Sequence, residues 1–153
     1  MKKRFAIYLL ALLLLLSACS TQTQLPNPKE ATLAIQSSTS FTEELQELDR
    51  DLITKYLNID ESQYTEIYML LDTSRASTEQ ILFVNAKDKA AQDSIRKNIE
   101  EYKAALISQY RDYVPEEVPK LEAAVLKNKG LQTAFVVSGN ANAVKEKLAE
   151  LWK

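Results

Sequence analysis

The longest stretch of unbroken periodicity in the chain runs between Asp88 and Pro115, and it constrains the fold more than any other feature. Ala91, Ile95, Ile99, Tyr102, Leu106, Tyr110 and Tyr113 recur at helical spacing, which predicts one helix over Lys89–Tyr113. Asp88 stands where an N-cap is needed, and Pro115 cannot continue the helix. A helix with a single apolar face must bury it against another layer, so the flanking segments have to supply that layer.

Those segments read as strands. Tyr64–Asp72 alternates, with Ile67, Met69 and Leu71 on one side and Glu66 and Tyr68 on the other. Gln80–Ala86 is a short apolar run rich in β-branched and aromatic residues, expected to pair antiparallel with it. Ala124–Lys127, the turn signal Asn128-Lys129-Gly130 and Leu131–Ser138 read as a second hairpin. A first helix is predicted over Phe41–Leu57, with Phe41, Leu45, Leu48, Leu52 and Tyr56 on one face and a Ser40/Glu43 capping box. Another turn or two of helix is expected within Glu116–Glu122. Gly139-Asn140 opens a last helix in which Val144, Leu148 and Leu151 share a face. The expectation is a single α+β domain over residues 40–153, in the order α-ββ-α-ββ-α, with a four-stranded antiparallel sheet packed by helices.

Upstream of this domain the composition changes twice. Residues 20–39 are rich in Ser, Thr, Gln, Pro and Ala, which predicts a flexible tether over residues 19–39, with Leu33 and Ile35 as a conceivable docked strand. Before that, Lys2, Lys3 and Arg4 precede an apolar run from Phe5 to Leu16, the layout of an export signal. The run falls short of the roughly 20 apolar residues a transmembrane helix needs.

The residues that end the run, Leu16-Ser17-Ala18-Cys19, resemble the lipobox of bacterial lipoprotein precursors. The resemblance implies a signal peptide over residues 1–18, a diacylglyceryl group on the Cys19 thiol, and Cys19 as the first residue of the mature chain. Two acyl chains anchor persistently where one does not. An ordinary secretory signal or a retained signal anchor would leave the sole cysteine without a use. The expected address is therefore the extracytoplasmic face of a bacterial cell membrane, with the membrane itself a partner through the lipid.

Loss of residues 1–18 leaves 16 basic against 21 acidic residues, a net charge of −5. That balance speaks against nucleic acid as a partner, which calls for a basic stripe.

Tyr56-Leu57-Asn58-Ile59-Asp60 ahead of an alternating strand, the exit Ala86-Lys87-Asp88, Tyr113-Val114-Pro115-Glu116-Glu117, and Gly130 before Phe135-Val136-Val137-Ser138 form a pattern spanning the mature domain. It is similar to that of short lipoproteins of clostridial-type Gram-positive bacteria, grouped as a domain of unknown function. The chain departs from the pattern with Asn58 in place of a glycine, and with Leu131-Gln132 in place of a polar residue and an aromatic. The resemblance implies lipidation and an extracytoplasmic site, and carries no activity to transfer.

Candidate chemistry is sparse. The chain has no histidine, and its one cysteine is spoken for by the lipid, so the commonest general base, zinc ligand and thiol nucleophile are missing together. The only glycines, Gly130 and Gly139, fall at turns, which leaves no phosphate-binding loop. Asp49-Arg50-Asp51 lacks the glycine and terminal glutamate of a calcium loop, so no metal or other cofactor is expected. Ser94-Ile95-Arg96-Lys97 has the Ser-x-x-Lys spacing of penicillin-interacting enzymes but sits off the apolar stripe, without partner motifs. Glu43-Glu44, Glu100-Glu101 and Glu116-Glu117 are adjacent pairs, which diverge on a helix and read as solvated faces. Tyrosines 56, 64, 68, 102, 110 and 113 suggest either a groove for glycan or peptide or, in better register with the stripes, core and sheet cover. No catalytic residue is expected. The reading is a binding or assembly module of the cell envelope, facing another envelope protein or a cell-wall component, with a small envelope hydrolase as the alternative.

Overall fold

The structure is a computed structural model that describes residues 25–153. The expected export signal, the expected lipobox Leu16 to Cys19 and the first residues of the expected tether lie outside the described residues.

Among the described residues five antiparallel strands form one sheet in the order β1-β2-β3-β5-β4. They are β1 (Gln46–Glu47), β2 (Tyr64–Leu71), β3 (Gln80–Ala86), β4 (Val125–Lys129) and β5 (Gln132–Val137). Among the described residues the helices are α1 (Pro28–Gln36), α2 (Arg50–Leu57), α3 (Lys89–Tyr113), α4 (Val118–Glu122) and α5 (Ala141–Leu151). Short 3-10 turns at Glu61–Gln63 and Pro115–Glu117 complete the order.

The sheet is covered on both faces. Ile53 and Leu57 of α2, Ile95, Ile99 and Tyr110 of α3 and Leu121 of α4 pack on one side, over Ile67, Met69, Leu82, Val84, Phe135 and Val137. Ala31 and Ile35 of α1 and Val144 and Leu148 of α5, with Trp152, pack on the other, over Leu70, Ile81, Phe83, Ala134 and Val136. This explains why β3 and β5 are continuous apolar runs while β2 nearly alternates: central strands with helices on both faces have no wet side. Each core has one edge-on aromatic pair, Tyr102 with Phe135 and Phe83 with Trp152, both with ring centroids 6.4 Å apart.

Several expectations hold to the residue. β3 and α3 begin and end where predicted, Asp88 caps α3 by accepting from the Ala91 amide, and Asn140 does the same for α5 through Ala143. Asn58, standing in for the expected glycine, adopts the left-handed conformation at the end of α2, with φ +50°.

Four expectations are corrected. The helix predicted over Phe41–Leu57 is only Arg50–Leu57, preceded by β1, which adds a fifth strand to the expected four and, with α1 and α4, replaces the expected order α-ββ-α-ββ-α by α-β-α-ββ-α-α-ββ-α. Phe41 and Leu45 belong to the α1 side of the sheet and Leu48 to the α3 side, because the chain crosses the sheet edge here; one helical face cannot serve both. The Ser40/Glu43 capping box is consequently absent, and the one that forms is Asp60 with Gln63. Second, part of the predicted tether is α1, capped by Asn27 and Pro28, with Ala31, Thr32 and Ile35 fully buried. The fold therefore begins by Leu25, which packs on the α1 side near Gly130. Third, β4 extends to Lys129, so the turn is Gly130-Leu131, with Gly130 at φ +55°. Fourth, Tyr113, placed on the apolar stripe of α3, is 71% exposed because Val114 and Pro115 turn the chain away.

Candidate functional site

The loop between β2 and β3, residues 72–79, is built almost wholly from its own polar groups. Asp72 accepts from the Ser74 amide at 2.8 Å, the Ser74 hydroxyl at 2.9 Å and the Ser77 amide at 2.8 Å, which winds the loop around one carboxylate. The Asp72 amide donates to the Glu79 carbonyl at 3.1 Å and closes its base. Tyr110, reaching up from α3, contributes a hydroxyl 3.2 Å from the Ser77 carbonyl and 3.3 Å from that of Arg75. The clamp holds Arg75 at φ +64°, a region that L-residues disfavour.

Behind the loop lies a charged cluster that sequence reasoning missed. Glu117, on the 3-10 turn before α4, is 8% exposed, and Glu79 is 2% exposed. One Glu117 oxygen accepts from the Ser77 hydroxyl (3.1 Å), the Thr78 amide (2.9 Å) and the Thr78 hydroxyl (3.1 Å). The other pairs with Lys120 at 2.8 Å, and Lys120 also lies 3.4 Å from Glu79. Glu79 in turn accepts from the Thr42 amide, tying the segment before β1 into the same cluster.

Burial works against the charge of Glu117, yet its hydrogen bonds with Lys120 and Thr78 and the Lys120 charge outweigh it and hold the carboxyl below the ordinary glutamate range. Asp72 is likewise opposed by burial but lowered by the amides and hydroxyl it accepts from. Burial disfavours the Lys120 charge, and the two glutamates more than offset this, raising it above its usual value. These groups are a structural clasp, with every carboxylate engaged. Glu117 was grouped with Glu116 as a solvated pair; Glu116 is exposed, but Glu117 points inward. The legible hint was Glu117-x-x-Lys120, an i,i+3 pair within a short apolar turn.

In front of the loop is a cleft of about 270 Å³, between the loop, α2 and the C-terminal half of α3. Tyr56, Tyr102 and Tyr110 line it, with Leu106, Gln80 and Arg75. Burial raises the hydroxyls of Tyr102 and Tyr110, so both are neutral donors and acceptors at physiological pH. The Gln80 amide is 3% exposed; its NH₂ donates to the Thr78 carbonyl at 3.1 Å, and its oxygen has no partner. Three of the six singled-out tyrosines thus share one concavity. Tyr113 lies beside it with Arg75 in an adjoining depression. Tyr64, the first residue of β2, is buried on the α3 side, and Tyr68 faces the opposite side of the sheet, donating to Glu47 at 2.7 Å beneath the Lys29 ammonium.

The Ser-x-x-Lys pair is not brought together. The Ser94 hydroxyl accepts from the Gln63 amide at 2.9 Å, while Lys97 turns outward to Glu101 at 3.5 Å. Alanine at Ser94 or Lys97 should each change stability by less than about 0.5 kcal/mol and leave any cellular phenotype intact. A complementation assay checks this, and loss of phenotype in a folded variant would restore the hydrolase reading. Asp49-Arg50-Asp51 begins α2, and among the described residues no three Asp, Glu, His or Cys side chains converge at metal-binding geometry. Among the described residues no helix is long and apolar enough to cross a membrane.

The chain finds no match among curated proteins or among solved structures. A family model does match, and its span, residues 37–138, contains the loop, the clasp and the cleft, while α1 and α5 lie outside it. The chain belongs to the family described as Domain of unknown function (DUF4358).

Proposed function

We propose that the protein is a lipid-anchored, extracytoplasmic binding module of the bacterial cell envelope, tethered through Cys19 and presenting the cleft beside the β2–β3 loop away from the bilayer. The observation that carries this is the placement of the two ends of the sheet. Leu25 packs near Gly130, in the β4–β5 turn. Gln132, next to that turn, also binds the Pro26 carbonyl at 2.8 Å. The register puts Gln132 opposite Asn85, whereas the cleft loop springs from Gln80, at the other end of β3. Five residue steps separate these ends, about 17 Å at 3.4 Å per residue.

With α1 docked, only a few residues lie between Cys19 and the fold. Six chain steps reach at most about 20 Å when extended, so the lipid would hold the β4–β5 turn close to the membrane. The cleft then faces outward. A short leash of this kind favours recognition of something fixed near the membrane, another envelope protein or a cell-wall component, over capture at a distance. Among the described residues no arrangement of side chains favours hydrolysis.

The anchor is tested by Cys19→Ala. The substitution should abolish incorporation of labelled fatty acid and release or misprocess the protein, with complete loss of label expected. Unchanged labelling would refute the anchor.

A further inference from the structure

We infer that the cleft is a site for the C-terminal end of a peptide, binding its terminal carboxylate through Arg75 and a nearby backbone N–H through Gln80. This deepens the display reading above and rests on it for the cleft being the working surface.

Gln80 carries the argument. Its amide orientation is set, because the NH₂ end is committed to the Thr78 carbonyl, so the atom left without a partner is the oxygen. A buried acceptor without a donor is costly, and such atoms in native proteins call for an explanation. Gln80 lines the cleft, where a small shift of its enclosed side chain would bring this oxygen to a ligand N–H or O–H.

Arg75 supplies the second half. Its backbone is held at φ +64° by the Tyr110 clamp, and a disfavoured backbone maintained by surrounding bonds is characteristic of functional positions. Among the described residues its guanidinium has no carboxylate partner; Asp72 lines the same cleft but is occupied by Ser74 and Ser77. A guanidinium so placed suits the planar, bidentate geometry of a carboxylate.

A cleft of about 270 Å³ is small for a ligand pocket and suits one or two residues. A peptide terminus brings a carboxylate and an amide donor within a residue of each other. Its side chain then meets the faces of Tyr56 and Tyr102 and the Leu106 methyls. A sugar acid also carries a carboxylate, but it brings several further hydroxyls for which these walls have few partners.

The test titrates the full chain, in detergent, with N-acetyl-Ala-Ala carrying a free carboxylate, following the side-chain NMR signals of Arg75 and Gln80. Both signals should shift along one saturable curve. The C-terminal carboxamide of the same dipeptide should bind at least about tenfold more weakly, as should the free acid to Arg75→Gln or to Gln80→Met, each with its fold verified by amide dispersion. Absence of shifts up to the solubility of the probe, an Arg75→Gln affinity equal to that of the parent, or displacement of the peptide by glucuronate at lower concentration would each overturn the assignment. Where Cys19 takes lipid label but the probe does not bind, only the ligand class falls; where Cys19 stays unlabelled but the probe binds, only the anchored display falls.

Discussion

Ile35→Ala should lower the unfolding free energy by about 3 kcal/mol, within the range of roughly 2–5 kcal/mol found when a large aliphatic side chain is removed from a packed interior. Ile35 is fully buried, on α1, in the cluster that also holds Phe83, Val144 and Trp152. Trp152 is the only tryptophan and is 8% exposed, so its fluorescence reports directly on that cluster during urea unfolding. The midpoint should fall with little change in slope. A residue in a solvated tether would change stability by less than about 0.5 kcal/mol, so the two pictures of residues 28–36 differ several-fold in the measured effect. A midpoint equal to that of the parent would mean that α1 does not dock, and the short-leash argument for the display of the cleft would go with it.

Glu117→Gln should destabilise the protein by about 2–3 kcal/mol at neutral pH, because it removes the charge that pairs with Lys120 while the ammonium stays half-enclosed. The pH dependence identifies the cause. Glu117 and Asp72 both titrate below their unfolded values of 4.5 and 3.8, so the folded state binds fewer protons than the unfolded one as those values are approached. Their contribution to stability is present above the unfolded values and is lost as pH falls through the folded ones. Lys120 is raised above 10.5, so its contribution is present below that value and is lost as pH climbs through the folded one. The clasp thus stabilises across the neutral range and fails at both extremes. Protonated glutamate resembles glutamine, so the gap between the parent and Glu117→Gln should narrow steadily as pH falls below 4.5. A gap of the same size in acid and at neutral pH would show that packing, not charge, holds the 3-10 turn to the loop.

The clasp also bears on the cleft, although none of its carboxylates needs to touch a ligand. Glu117 holds Ser77 and Thr78, Thr78 holds the Gln80 amide, and Ser77 shares the Tyr110 hydroxyl with Arg75. A change at Glu117 therefore reaches both proposed ligand-binding groups, Gln80 through two hydrogen bonds and Arg75 through three.

The division between what could be read in the residues and what could not follows from the range of the forces involved. Helix α3 was legible because its signals are local: an Asp cap, twenty-five residues of period near 3.6, and a proline stop. Strands β3 and β5 were legible because β-branched and aromatic residues clustered between turn residues, and the left-handed backbone at Asn58 because few other residues tolerate it.

The remainder was decided between distant segments. Leu45 and Leu48 fit a helical stripe in one dimension, and only the sheet edge running between them sends one to each face. Residues 28–36 have a tether's composition, and become a helix because the second face of β2 and β3 is apolar and needs a cover. Glu117 looks like half of a surface pair until a loop nearly 40 residues earlier in the chain folds its amide and hydroxyls onto it. The cleft has the same origin, since Tyr56, Gln80 and Tyr102 come from three elements and carry no mutual spacing. Periodicity reports how a residue relates to its own turn of helix or strand, while burial of a charge or of an unpaired amide depends on which other element arrives to cover it.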